Sequence, residues 1–173
     1  MNQDGTHGLS SSDLLRYPGI ASFDLNTIVQ KLVYLRQHQH PDRKIAVILD
    51  LGKELPKTWA DPHQIECAIH ALFARSLDAI IESEKPHGTI TVRTTFKRGK
   101  IQLSITDDGI PASRRFNAFS RTPQEDMSIT TCAEIVQDQD GELYAWRPSH
   151  PALTTIVVDL PAEVGWESVF NCM

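Results

Sequence analysis

Two neighbouring stretches decide the fold: residues 61–82, DPHQIECAIHALFARSLDAIIE, and residues 90–109, ITVRTTFKRGKIQLSITDDG. In the first stretch, apolar residues recur every three to four positions over about five turns, which predicts a long amphipathic helix. Its predicted buried face consists of Ile65, Ala68, Ile69, Leu72, Ser76, Leu77 and Ile80. Asp61 is a preferred capping residue and Pro62 is favoured at the first helical position. Gln64 stands where a capping box places its returning side chain.

The second stretch predicts a hairpin of two strands. Apolar and polar residues alternate over Ile90–Thr94 and again over Ile101–Ile105, which is typical of strands with one buried face. Lys97-Arg98-Gly99-Lys100 supplies the turn between them, and Asp107-Asp108-Gly109 ends the second strand.

Further helices and strands are predicted on both sides of these stretches. They are a helix from Asp24 to about residue 38, a strand over Ile45–Leu51, a helix over about 127–137, and strands over Glu142–Trp146 and Leu153–Leu160. Residues 110–126 have no clear period and predict a long loop. Hairpin strands with helices packed on one side give an α+β fold, a two-layer sandwich of about five strands in a mixed sheet covered by about three helices.

Composition sets the broad class of the protein. The chain has 173 residues, of which 40% are hydrophobic and 23% are charged, so it fits one globular domain rather than a disordered chain. A net charge of −5 argues against a generic nucleic-acid binder. No apolar run predicts a membrane span or a signal peptide. Cys67, Cys132 and Cys172 form no CxxC pair and indicate reduced thiols in a cytoplasmic protein.

The order of these elements and their motifs resembles the ATP-binding domain of sensor histidine kinases, in the GHKL or HATPase family. The motifs that carry the resemblance are Phe23-Asp24-Leu25, Asp61-Pro62 with residues 74–79, Asp107-Asp108-Gly109, the aromatic residues Phe116 and Phe119, and Thr154-Thr155 with Leu160-Pro161. The resemblance implies a Bergerat-type ATPase fold. The likeness covers residues 23–161, which are predicted to form an ATPase-like domain. Residues 1–22, which begin with a polar stretch rich in Ser and Gly, are predicted to be a flexible segment, and residues 162–173 a tail.

Two residues of the long helix depart from the family pattern. Arg75 occupies the place of an asparagine whose carbonyl oxygen binds Mg²⁺ in the family. Magnesium requires oxygen ligands, and an arginine side chain has only donors. One turn earlier, Ala71 stands where relatives often carry Asn or a catalytic Glu. Both changes therefore remove groups that would hold a metal or orient water.

The glycine motifs of the family also differ here. Ile110-Pro111-Ala112 follows Gly109 where the family has another glycine, and Asp126-Met127-Ser128 replaces the second Gly-x-Gly motif. Those glycines let backbone amides approach phosphates at a helix N-terminus. Asp126 instead adds a negative charge where the phosphates would lie. Ordinary Mg-ATP turnover is therefore not expected.

The resemblance still implies a set of nucleotide contacts if binding is retained. These are Asp107, Gly109, Arg75, Asp78 and Thr154. Asp107 either binds the adenine amino group or caps the following turn, and Arg75 either faces solvent or replaces Mg²⁺ by pairing with an anion. No catalytic residue and no metal ligand are predicted. No cofactor is expected, although ATP or ADP without Mg²⁺ stays open.

The favoured function is a degenerate histidine-kinase-like domain that acts as a regulatory or protein-binding module in bacterial-type signal transduction. An active ATP-dependent kinase, of the histidine-kinase or anti-sigma serine-kinase type, is the alternative. A histidine phosphotransferase-like relay protein is a third reading. It would need helices from a partner, because only about 22 residues precede the first helix.

The expected partner is a signalling protein: a kinase, a response regulator or an anti-sigma-type protein. A homodimer stays open. Nucleic acid and membrane are not expected as partners.

Overall fold

A computed structural model describes residues 19–36, 44–110, 129–146 and 153–163. The strands and helices are β1 (Ala21–Phe23), α1 (Leu25–Arg36), β2 (Lys44–Leu51), β3 (Thr58–Ala60), α2 (Pro62–Glu82), β4 (His87–Lys97), β5 (Lys100–Asp107), α3 (Ile129–Asp138), β6 (Glu142–Trp146) and β7 (Thr154–Pro161). Most of the predicted flexible segment (residues 1–18), the predicted long loop from residue 111 with Phe116 and Phe119, and residues 164–173 of the C-terminal tail lie outside the described residues.

Five strands form one mixed sheet in the order β2-β4-β5-β7-β6. Strands β2 and β4 are parallel, and the remaining neighbours are antiparallel. The buried side chains of the sheet alternate along β4 and β5 and join one core cluster with the buried faces of all three helices. The predicted α+β sandwich, with three helices on one face of a five-stranded mixed sheet, is therefore confirmed.

A second, two-stranded sheet was not predicted from the sequence. Strands β1 and β3 pair antiparallel, with Ser22 opposite Trp59. Each strand has only three residues, which is too short to show an alternating pattern. The pair is joined to the main sheet by Thr58, whose hydroxyl donates to the carbonyl oxygen of Pro161 at 2.7 Å.

The start of α2 follows the prediction in part. The Asp61 carboxylate accepts from the amides of His63 at 2.9 Å and Gln64 at 3.2 Å, as an N-cap should. The returning bond of the capping box comes from another part of the chain, because the Asp61 amide donates to Gln139 Oε1 at 2.8 Å. Gln139 in turn donates to Gln64 Oε1 at 3.2 Å. The residues after α3 therefore complete the cap of α2.

The hairpin between β4 and β5 turns within two residues. Arg98 has φ 55° and Gly99 has φ 76°, and Lys97 lies directly opposite Lys100. Two consecutive positive φ angles define the type I′ turn, whose twist matches that of the flanking strands.

None of the helices in the described part of the chain is both long enough and apolar enough to span a bilayer.

Candidate functional site

The candidate site is the corner where β5 ends beside β7 and α2. Asp107, the last residue of β5, is 1% exposed and lies directly opposite Thr154 on β7. Its Oδ1 accepts from the Gly109 amide at 3.1 Å, which is the turn-capping role predicted as one alternative. Because β5 and β7 pair antiparallel, two of the site residues predicted from the sequence, Asp107 and Thr154, lie next to each other.

Gly109 joins this corner to the long helix. A Cβ atom added at Gly109 would lie 2.5 Å from the carbonyl carbon of Ala79, and the Ile110 amide donates to the Ala79 carbonyl oxygen at 3.0 Å. A side chain larger than hydrogen therefore cannot fit between the turn and α2. The glycine sets how closely Asp107 approaches the helix.

Asp108 fixes the same turn from the other side. Its Oδ1 accepts from the Thr89 amide at 2.9 Å, and its carbonyl oxygen accepts from Lys85 Nζ at 2.7 Å. The turn after β5 is thus bonded to both β4 and the segment that follows α2. The Asp107 side chain is consequently held by a rigid backbone rather than by a free loop.

Two buried hydroxyl groups near this corner have no hydrogen-bond partner among the described residues. They are Thr154 Oγ1 and Ser76 Oγ. Thr154 faces Asp107 across the strands, and Ser76 is buried on α2 three residues before Ala79, against which Gly109 packs. A buried, unsatisfied hydroxyl costs about 1–3 kcal/mol, so both groups indicate a place for a water or a small polar ligand.

Ser76 was expected from the sequence only as a core position. A serine at a buried position of an otherwise apolar helical face is the signal that could have marked it. Asp78, by contrast, is exposed on α2, so the structure does not bury it with Asp107 and Thr154.

Arg75 lies on the side of α2 that faces α3. Burial raises the pKa of the Cys132 thiol of α3 from its ordinary value of 9.0 to about 11, and the positive charge of Arg75 acts in the opposite direction. Cys132 is fully buried, and its Sγ is 3.9 Å from the carbonyl oxygen of Ala68 on α2. The guanidinium charge is therefore felt inside the α2–α3 contact.

A magnesium ion does not fit the residues on this part of α2. Arg75 is a cation without acceptor atoms, and Ala71, one turn earlier, is a small apolar residue packed against the core. Among the described residues, there is no group of three or more His, Cys, Asp or Glu side chains that could hold a metal. The corner around Asp107 and Thr154, in contrast, offers a carboxylate that accepts hydrogen bonds and a hydroxyl that can donate or accept them. These groups suit a neutral polar ligand, such as an aromatic base that carries an amino group.

The raised pKa of Cys132 predicts a specific loss of stability at alkaline pH. The folded chain favours the neutral thiol, so the unfolded chain releases this proton at lower pH. The group's contribution is then complete below about pH 9 and is lost as pH rises towards 11. The loss amounts to roughly 2–3 kcal/mol of unfolding free energy.

Urea unfolding at several pH values between 8 and 11 measures this effect. The variant Cys132→Ala should show a shallower decline than the wild-type chain. Both chains are also compared in the Tyr144→Phe background, because the pKa of Tyr144 is raised as well, chiefly by burial and then by the nearby Asp159, and its ionisation would add a decline of the same sign. Parallel curves for the wild-type and Cys132→Ala chains would contradict the prediction.

Comparison of the chain with known proteins identifies its family. The chain is 32% identical over 139 residues to the adaptive-response sensory kinase SasA of Synechocystis sp. (strain ATCC 27184 / PCC 6803 / Kazusa), a match that covers 72% of this chain and 34% of SasA. The catalytic domain of histidine kinase ThkA superposes with a TM-score of 0.69 at 16% identity, covering 83% of this chain and 95% of that domain. The chain is a histidine-kinase-like ATPase domain.

Two further solved structures of histidine kinases have the same domain fold. Full-length ShkA in complex with AMPPNP matches with a TM-score of 0.68 at 13% identity, over 84% of this chain and 32% of ShkA. ThkA in complex with the response regulator protein TrrA matches with a TM-score of 0.62 at 19% identity, over 87% of this chain and 46% of that chain. No protein-family model matches the sequence. This histidine-kinase-like domain spans about a third of the length of SasA, at 34%.

Proposed function

We propose that this histidine-kinase-like domain is a regulatory or protein-binding module of bacterial-type signal transduction that does not turn over Mg-ATP. The observation that carries the proposal is Arg75, whose charge lies on the α3-facing side of α2, at the position where the family pattern has a metal-binding asparagine. A guanidinium adds a positive charge and offers no lone pair to a cation. Magnesium would therefore lose a ligand and meet repulsion at the same place.

The corner around Asp107 supports retention of nucleotide binding without metal. Asp107 is held by the Gly109 amide, and Thr154 Oγ1 beside it has no partner among the described residues. A carboxylate acceptor next to a hydroxyl suits an amino group on a planar base. The guanidinium of Arg75 could neutralise a phosphate in place of Mg²⁺, because arginine binds phosphates through its paired donors.

The proposed partner is another signalling protein. ThkA, whose catalytic domain shares this fold, has been solved with the response regulator protein TrrA. A module that keeps the fold but loses the metal would act through such contacts rather than through phosphoryl transfer.

Thermal shift and calorimetric titration with ATP and ADP, each with and without Mg²⁺, test the proposal together with an assay for released phosphate. We expect Mg-ATP to change the melting temperature no more than ATP alone does, and we expect no release of phosphate. Thr154→Val should weaken nucleotide binding by roughly 3- to 10-fold, which corresponds to one lost hydrogen bond. Thr91→Val, on the opposite face of the sheet, is the matched control and should leave binding unchanged.

Arg75→Asn adds the missing amide oxygen and tests the role of the arginine directly. This variant should acquire a dependence of ATP affinity on Mg²⁺ that the wild-type chain lacks. Binding by the wild-type chain that requires Mg²⁺, followed by phosphate release or phosphoryl transfer, would overturn the proposal.

That result would establish the second candidate function, an active ATP-dependent kinase. The identity of 32% with the sensory kinase SasA favours this alternative, as does the Asp107–Gly109 turn that matches the family motif.

A further inference from the structure

The end of the sheet opposite the nucleotide corner carries a concentration of positive charge. Its members, which we call the basic end, are Lys53, Lys57, Lys97, Arg98 and Lys100, and all five are exposed. Asp107 and Lys100 are the last and first residues of β5. At about 3.4 Å per residue, they lie roughly 24 Å apart. The basic end is therefore separate from the candidate nucleotide site.

Backbone contacts bring these residues together from two parts of the chain, the segment between β2 and β3 and the β4–β5 hairpin. The Ala162 amide donates to the Gly99 carbonyl oxygen at 3.4 Å, and the Glu163 amide donates to that of Lys57 at 2.6 Å. Gly52, which precedes Lys53, donates its amide to the Thr94 carbonyl oxygen at 3.1 Å. The segment after β7 contacts both parts, and the Gly52–Thr94 bond joins them directly, so the two parts lie side by side.

The positive charges at the turn of the β4–β5 hairpin do not stabilise it. Lys97 and Lys100 lie directly opposite each other, and like charges in this position are destabilising. Arg98 adopts φ 55° at a turn position where asparagine, aspartate or glycine is strongly preferred. Three cations in four positions of a tight turn therefore reduce the stability of the hairpin without a structural benefit.

Few acidic groups compensate this charge. The ion pairs Lys31–Glu66 and Arg93–Asp50 both lie in the described part of the chain, and neither includes a member of the basic end. Among the described residues, three acidic groups adjoin its five cations: Glu54 next to Lys53, Asp159 on β7, and Glu163 beside Lys57. Asp159 accepts from Gln102 at 2.9 Å, and Glu163 accepts from the Ser22 hydroxyl. The chain as a whole carries a net charge of −5, so the basic end is a local reversal of sign.

A groove and two exposed aromatic residues adjoin the charges. A groove of about 710 Å³ on the open face of the sheet is lined by Arg93, Lys97 and Tyr144 among other residues. Phe96, next to Lys97 in the sequence, is 50% exposed, and Trp59, two residues after Lys57, is 43% exposed. Exposed aromatic residues are enriched in protein–protein interfaces, whereas the negative net charge of the chain disfavours a phosphate backbone as partner.

We propose that the basic end and the adjoining groove bind an acidic segment of a partner protein. This inference rests on the proposed protein-binding function and names its surface and the chemistry of the partner, but it does not depend on the loss of Mg-ATP turnover. Complementary charge would steer the acidic segment to the hairpin, and the groove would hold the part of the segment that crosses the sheet.

Fluorescence anisotropy with a labelled peptide of alternating Glu and Asp tests the proposal on the full chain. The variant Lys97→Gln/Lys100→Gln should weaken binding roughly tenfold, since two charge contacts are lost. The matched control is Lys31→Gln/Lys44→Gln, which removes the same charge from other parts of the surface and should change binding less than about twofold. The melting temperature of Lys97→Gln/Lys100→Gln should not fall, because a like-charged pair is removed.

Binding of three further ligands is measured in the same buffer. They are a neutral peptide of the same length, which tests whether charge is needed, and a single-stranded DNA oligomer and vesicles containing phosphatidylserine, which test other sources of negative charge. The proposal requires the acidic peptide to bind more tightly than all three. Equal loss in both double variants, or tighter binding of DNA or vesicles, would overturn it. The nucleotide titrations are independent of this assay. Absence of peptide binding would therefore overturn this proposal without affecting the proposal that Arg75 prevents Mg-ATP turnover.

Discussion

Replacing Gly109 with alanine should lower the unfolding free energy by about 3 kcal/mol or more, near the upper limit for overpacking. The new Cβ would lie 2.5 Å from the carbonyl carbon of Ala79, 2.6 Å from its oxygen and 2.7 Å from the amide nitrogen of Ile80. These are backbone atoms in the middle of a helical turn, so they cannot move aside as a side chain could. The turn after β5 must then separate from α2.

Urea unfolding followed by circular dichroism measures the loss. A second variant, Gly109→Ala/Ala79→Gly, serves as the control for the origin of the clash. Because the contact is with backbone atoms, removing the Ala79 side chain should not restore stability and should add about 1 kcal/mol of helix destabilisation. Recovery in the double variant, or a loss below about 1 kcal/mol in Gly109→Ala, would contradict this explanation.

Phe73→Ala should cost about 3–5 kcal/mol, the range for removing a large buried aromatic side chain. Phe73 is 1% exposed and is one of the largest fully buried side chains among the described residues. Its removal leaves a cavity within the core cluster that α2 forms with the sheet and the other helices. For a domain of this size, the loss should lower the melting temperature by about 2–4 °C per kcal/mol.

Tyr34→Ala provides the matched aromatic control. Tyr34 lies near the end of α1 and is 71% exposed, so its removal should change the unfolding free energy by less than about 0.5 kcal/mol. Differential scanning calorimetry on both variants separates burial from aromatic character. Similar losses in the two variants would show that α2 is not packed as the structure describes.

Phe73 also shows where sequence reasoning fell short. The helical period identified the buried face of α2 from Ile65 to Ile80, but it did not include Phe73. A single-face pattern assumes that a helix packs on one side. Helix α2 packs against β4 and β5 and also against α1 and α3, so its buried arc is wider than one stripe.

For the candidate site, too, the sequence predicted the local features but not the contacts between distant segments. The motif Asp107-Asp108-Gly109 identified the turn that ends β5, and Thr154 was correctly assigned to a strand, although not to one that pairs with β5. The unpartnered hydroxyls and the influence of Arg75 on Cys132 could not be read from the sequence. Both depend on which side chains from distant segments meet, and on whether a partner is within reach.

A three-residue network gives a further example. Thr94 donates to Asn26 Oδ1 at 2.7 Å and accepts from the Gly52 amide at 3.0 Å, while Asn26 Nδ2 donates to the Gly52 carbonyl oxygen at 2.8 Å. These contacts connect α1, the end of β2 and β4. Each residue was unremarkable in its local pattern, because polar residues show no period that reveals a distant partner.

The sequence alone determined the long helices, the strands of the hairpins, the α+β class and the kinship with histidine kinases. Local periodicity, caps and turns depend on neighbours within a few residues, and these are present in the linear order. Only the tertiary structure decided the sheet order, the small β1–β3 sheet, the bridge from Gln139 to the start of α2, the polar corner and the basic end. These features arise when residues far apart in the chain come close together, since hydrogen bonds form only within a few ångströms and charges from separate segments form one patch only when the fold brings them to one surface.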